Sequence, residues 1–183
     1  MELIKEFKES KILKNVLIAL MGTILLAVSS KIKIPFYPVP MTMQTLVVLF
    51  LGVTLGWKLG VATVALYLFE GIIGLPVFSG SPENGIGIVY FTGPTMGYLI
   101  GFIFTVYFAG YFNFNKNLFL KFFQLSFSVS FIYIFGILWL GTIIGWEKSL
   151  FQLGVQPFLL AEFFKVLIIL ISLPKIEKLK KYL

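Results

Sequence analysis

The chain has 183 residues, 58% of them hydrophobic, with mean hydropathy +0.97 and a net charge of +7 from fifteen lysines and eight glutamates. It lacks cysteine, histidine, aspartate and arginine, which excludes thiol nucleophiles, histidine bases and His/Cys metal centres together. A basic balance without interleaved aromatics on a polar scaffold does not suit nucleic acid; the composition fits an all-α integral membrane protein.

Six apolar runs approach the roughly 20 residues a membrane span needs: 13–30, 42–56, 59–75, 93–112, 117–141 and 157–173. Together they predict one six-helix membrane domain over 1–183, with a short basic lead (1–12) and a basic tail (174–183). The lysine-rich start and Ala27-Val28-Ser29 mimic a cleavable signal peptide, but five more apolar runs favour a retained first span. Residues 1–14 read either as an amphipathic helix turning Leu3, Ile4 and Phe7 to lipid or as a solvated lead. Along the first span Ala19, Thr23 and Ala27 recur every four residues, a spacing that lets helices approach closely. That stripe serves packing within the bundle or docking of another membrane protein. Gly52, Gly56 and Gly60 repeat the spacing, as do Gly93, Gly97 and Gly101.

Three prolines between Pro35 and Pro40 forbid helix and keep the segment extended, so Thr42 and Gln44 open the second span. Only Trp57 and Lys58 part the second span from the third, and Gly56 and Gly60 beside them favour a tight turn. The segment 75–87 is rich in glycine and too apolar for a plain solvated linker; it reads either as a binding loop or as an irregular loop packed on the outer face. Glu70, near the outer end of the third span, reads as an interfacial or packing residue.

Lysines orient the bundle. Lys5, Lys8, Lys11 and Lys14 precede the first span, and Lys175, Lys178, Lys180 and Lys181 follow the last, so both termini read as cytoplasmic and the number of spans as even. Six spans also place Lys58, Lys116 and Lys121 inside, eleven against Lys31, Lys33 and Lys148 outside. Five spans would break this asymmetry.

Within the sixth run, Glu162 and Lys165 share a helix face three residues apart. Charge inside a span is costly and marks a protein interior or a function. In the six-span arrangement the second, fourth and sixth helices all run inward. Thr42 and Gln44 begin the second, and Thr95 and Tyr98 the fourth. Glu162 and Lys165 lie about 8 and 12 Å below Pro157 at ~1.5 Å per residue. The polar groups thus gather in the outer half of the bundle beneath the two unusual loops, with Phe36, Tyr37, Phe78, Tyr90 and Phe91 nearby. Each of these aromatics is a candidate wall for an apolar ligand, with core packing or an interfacial belt as the plainer reading.

The residues 38–45 (PVPMTMQT), 67–78 (YLFEGIIGLPVF) and 93–102 (GPTMGYLIGF), with 156–165 at the end, closely resemble the BioY family. These are the biotin-binding S components of energy-coupling-factor (ECF) transporters, six-helix proteins of the bacterial cytoplasmic membrane. The resemblance covers about residues 13–173. It departs at Glu162, where the family carries aspartate, and at Met96, where it carries a second glycine. It implies biotin as ligand and no cofactor. It also implies a transmembrane coupling protein and two ATP-binding-cassette ATPases as partners, with membrane lipid around the chain and no nucleic acid.

The implied ligand residues are Thr42, Gln44, Asn84, Thr95, Tyr98, Glu162 and Lys165, and Ala19, Thr23 and Ala27 become the candidate docking face. Lys165 either takes the biotin carboxylate or completes a polar network around Glu162, and the pair read alone also fits a structural ion pair. The chain has no GxxxxGK[ST] loop, so ATP hydrolysis by that route belongs to partners. Two further readings stay open: an S component for another vitamin, and an intramembrane enzyme using Glu162 and Lys165 as acid and base. Against the second, no nucleophile with an orienting partner accompanies the pair.

Overall fold

The computed structural model describes residues 2–114 and 117–180, with side chains from Lys11 onward. The orientation expected for Leu3, Ile4 and Phe7, the side chains of Lys5 and Lys8, and Lys116 and Lys181 lie outside what it describes. The described chain is mostly helical: α1 (Glu2–Lys31), α2 (Gln44–Ile72), α3 (Met96–Tyr111), α4 (Leu118–Ile144), α5 (Leu150–Gly154) and α6 (Leu159–Lys180). Two short strands, β1 (Lys33–Ile34) and β2 (Met41–Thr42), pair antiparallel around the prolines. Single 3₁₀ turns occupy Gly87–Thr92 and Gln156–Phe158. Four helical stretches are long and apolar enough to cross a membrane, and α3 is a shorter apolar helix.

α2 is a hairpin. Gly56 is its one non-helical residue, at φ 73° and ψ 171°, a left-handed conformation that glycine adopts without a Cβ clash. Gln44 and Tyr67, 23 positions apart, meet side chain to side chain at 2.8 Å; in a straight helix they would stand about 35 Å apart. A Cβ on Gly60 would come within 3.6 Å of the Gly52 Cα, so the turn that Trp57 and Lys58 suggested brings two glycine faces together. Gly97 and Gly101 play the same part between α3 and α4: a side chain on Gly101 would collide with the Ile132 backbone.

Other boundaries shift for local reasons. The second span opens at Gln44 rather than Thr42, because Thr42 is paired with Lys33 across the two strands. The fourth opens at Met96, since the 3₁₀ turn occupies the chain up to Thr92, and Thr95 holds the position before the helix without a side-chain cap bond. The Asn117 side chain accepts a hydrogen bond from the Leu120 N–H and starts α4. α5 was not expected. α6 continues through Pro174 to Lys180, so much of the basic tail is helix.

The small residues of the α1 stripe lie against the bundle. Thr23 is 2% and Ala19 7% exposed, and Ala27 packs partly against the core. Gly22, on the same face, touches Leu51 and Thr63 of α2. The small residues are consumed inside the bundle, where they let α1 lie close to α2. What α1 turns outward is large and apolar: Val16, Leu17, Leu20, Ile24 and Leu25. An apolar exterior around an apolar core is the pattern of a chain whose solvent is hydrocarbon.

Candidate ligand-binding site

One end of the bundle gathers the polar groups. Glu162 and Lys165 project from the first turns of α6, both buried. Lys165 Nζ donates to Glu162 Oε1 at 2.7 Å and to the Thr42 backbone carbonyl at 2.7 Å. The ammonium therefore ties α6 to β2. The second carboxylate oxygen, Glu162 Oε2, makes no hydrogen bond, and the Tyr133 hydroxyl of α4 lies near the carboxylate.

On the opposite side a chain of bonds runs from the strand pair into the long loop. Thr42 Oγ1 donates to Gln44 Oε1 at 3.3 Å, Gln44 Nε2 to the Tyr67 hydroxyl at 2.8 Å, and Tyr67 to the Val77 carbonyl at 2.9 Å. Further donors hold the same loop by its carbonyls: Ser30 at Val77, Lys31 at Phe78 and Ser81, and Tyr90 at Ser79. Phe78 is 1% exposed, stacked on Tyr90 at 4.7 Å and edge-on to Tyr67 at 5.3 Å. The segment 75–87 is therefore a packed cap. Burial holds the Tyr90 hydroxyl above its ordinary range, so it remains a donor at neutral pH.

Between the α6 pair and the cap lies a narrow cavity of about 50 Å³. Five of the seven expected ligand residues line it: Thr42, Gln44, Thr95, Tyr98 and Glu162. Lys165 stands behind Glu162 and does not reach the wall. Asn84 lines a different, outer cleft of about 500 Å³, together with Lys33, Tyr37 and Pro94. The Tyr98 hydroxyl donates to the Gly154 carbonyl at 2.9 Å, so this residue offers the cavity its ring.

Tyr133, Phe158, Phe102 and Ser79 also line the cavity, and the sequence did not single them out. Phe158 stacks on Tyr133 at 6.1 Å and meets Phe36 edge-on at 6.0 Å. Of the expected aromatics, Tyr90 reaches the cavity, Phe78 and Phe91 pack behind it, and Tyr37 is 91% exposed. Two buried polar atoms on the wall lack a hydrogen bond: Glu162 Oε2 and Ser79 Oγ. An unpaired buried polar atom costs about 1–3 kcal/mol, and more when charged. A ligand bringing one or two N–H donors among apolar atoms would offset that cost.

The sequence pattern of the BioY family matches residues 4–182. A probable biotin transporter BioY of Pyrococcus horikoshii is 32% identical over 152 residues, covering 83% of this chain and 89% of that protein. The biotin transporter BioY of Thermotoga maritima is 30% identical over 159 residues, covering 86% and 92%. Among solved structures, the crystal structure at 2.1 Å of the S-component for biotin from an ECF-type ABC transporter superposes with TM-score 0.76. It is 26% identical and covers 92% of this chain and 93% of that one.

Proposed function

The chain belongs to the BioY family, and we propose that it captures biotin as the S component of an energy-coupling-factor transporter. It is a transport component and not an enzyme. The observation that carries the reading is the cavity between the α6 pair and the cap, walled by aromatic and aliphatic side chains with a few polar groups, of which Glu162 Oε2 and Ser79 Oγ are without a hydrogen-bond partner. Biotin has a ureido ring with two N–H donors and one acceptor, set on an apolar bicycle with a carboxylate tail. In this reading a ureido N–H donates to Glu162 Oε2, while Lys165 holds the other oxygen in place. Ser79, Thr42 and Gln44 supply the remaining polar partners, and Tyr98, Tyr133 and Phe158 clasp the bicycle. Asn84 in the outer cleft then meets the ligand only on its way in or at its tail. Purified protein should bind labelled biotin saturably, one per chain, with unlabelled biotin but not thiamine or riboflavin competing. Failure to bind biotin, or displacement by another vitamin, would overturn the assignment.

The wider reading has six membrane crossings with both termini cytoplasmic, in a bacterial cytoplasmic membrane. The partners are a transmembrane coupling protein and two ATP-binding-cassette ATPases that supply the energy this chain has no loop to harvest. Support comes from the α2 hairpin, whose two arms count with α1, α3, α4 and α6 as six apolar segments, and from the lysines. Lys58 and Lys180 share a cleft with Asn15 at the end away from the cavity, while Lys31 and Lys33 sit at the cavity end beside the cap. The chain has no cysteine of its own, so single cysteines report cleanly. An impermeant thiol reagent applied outside intact cells should label Glu83→Cys and Lys148→Cys, both exposed, and spare Lys58→Cys. External labelling at Lys58 would end the six-span arrangement.

A further inference from the structure

Away from the biotin cavity, at the end where the α2 hairpin turns, a cleft of about 410 Å³ opens between α1, the hairpin and the end of α6. Its lining includes Asn15, Thr54, Gly56, Lys58 and Lys180. Three features coincide there. Thr54 is 6% exposed and its hydroxyl has no hydrogen-bond partner. Gly56 breaks the helix at the cleft, so the second arm of α2 begins there, and a helix start is a favourable setting for an anion. Two ammonium groups, Lys58 and Lys180, stand over the same space. The nearest carboxylate along α6, Glu177, lines the adjoining cleft that Lys180 shares.

We propose that this cleft binds the phosphate headgroup of an anionic bilayer lipid. A bilayer lipid, and not a soluble anion, is favoured by what surrounds the cleft. Trp57 is 41% exposed beside it, edge-on to Tyr107 at 5.6 Å, with Lys58 Nζ 5.4 Å from the Trp57 ring. Tyr111, on the same helix as Tyr107, is 63% exposed. Half-exposed Trp and Tyr at one level mark the headgroup layer. Directly along α1 from Asn15, the outward Val16, Leu17 and Leu20 offer an apolar track for acyl chains. Basic clefts between helices at the cytoplasmic surface are suited to anionic headgroups. The inference rests on the membrane placement of the chain but not on biotin.

The test compares lipid retention by the full chain in nanodiscs of one part phosphatidylglycerol to four parts phosphatidylcholine. Lipid co-purifying after detergent extraction is counted by native mass spectrometry. The wild type should retain phosphatidylglycerol preferentially. Lys58→Gln/Lys180→Gln should lower that retention about tenfold, and Thr54→Val should lower it less. Biotin binding should be unchanged in all three, which also certifies their folding. Inorganic phosphate at millimolar concentration should not displace the lipid. Equal retention of the two lipids, or unchanged retention in the double lysine variant, would overturn the proposal. So would displacement by inorganic phosphate, which would make this a soluble-anion site.

Discussion

Lys165→Met should weaken biotin binding by more than about 2 kcal/mol, roughly thirtyfold. The ammonium is buried, bonded to Glu162 Oε1 and to the Thr42 carbonyl, so its loss leaves a carboxylate stranded in an apolar wall. Such a carboxylate draws in water or turns away to find another partner, and the acceptor for the ureido N–H is displaced. The same change frees β2 from α6 and loosens the wall that carries Thr42 and Gln44. Glu162→Gln keeps size and one acceptor and should lose less. Glu162→Asp restores the residue the family carries and should bind well. If the pair only holds the fold, a different pattern follows. Lys165→Met would destabilise the protein, and Glu162→Leu/Lys165→Met would recover both fold and affinity, because an apolar replacement of a buried ion pair is often tolerated. Calorimetric titration of biotin into the folded fraction of each variant decides. Full-strength binding by the double variant would remove Glu162 and Lys165 from the site.

The parts of this site legible in the sequence are those whose position follows from helix direction. Thr42, Gln44, Thr95 and Glu162 lie where elements begin, and antiparallel neighbours bring every second beginning to the same end. The charge pair was visible because ionisable groups are rare in a span. The hairpin at Gly56 was visible because a lysine sat between two short apolar runs. Tyr133 was hidden by its setting: α4 carries five phenylalanines before it, and nothing in that run marks one aromatic as facing a cavity. Ser79 sits in a loop whose path depends on Phe78 finding its slot among Tyr67, Tyr90 and Gly71, a tertiary contact with no local pattern. The Ala19/Thr23/Ala27 stripe shows the limit of spacing arguments. Small residues every four positions specify a close helix contact but not whether the partner is α2 or another protein. Asn84 lies in the predicted loop, yet that loop's packing turns it to the outer cleft.

Phe78→Ala should accelerate biotin release by more than about a hundredfold while leaving the helical bundle intact. Removing a fully buried phenylalanine costs about 3–5 kcal/mol, and here the loss falls on the cap and not on the helices. The ring is the one large apolar anchor of 75–87 reaching the core. It is held by Tyr67, Tyr90 and Phe91 and seated against Gly71, where any Cβ would overlap it. Without it, the carbonyl bonds from Ser30, Lys31, Tyr67 and Tyr90 must hold the loop, each with a net worth of only about 1 kcal/mol. The cavity of about 50 Å³ is far below the roughly 300 Å³ at which ligand pockets begin, so a biotin-sized ligand enters only if part of the wall moves. The cap is a wall without a helix, and Phe78 is its buried ring. Gly71→Val attacks the same seat from the helix side and should reproduce the effect with the phenylalanine still present. The measurement is a chase of labelled biotin from purified protein, with far-ultraviolet circular dichroism to confirm the helices. A release rate within about threefold of wild type in both variants would show that the cap is not the gate. Entry would then be assigned to the apolar groove of about 440 Å³ between α4 and α6, which reaches the cavity wall at Tyr133 and Glu162.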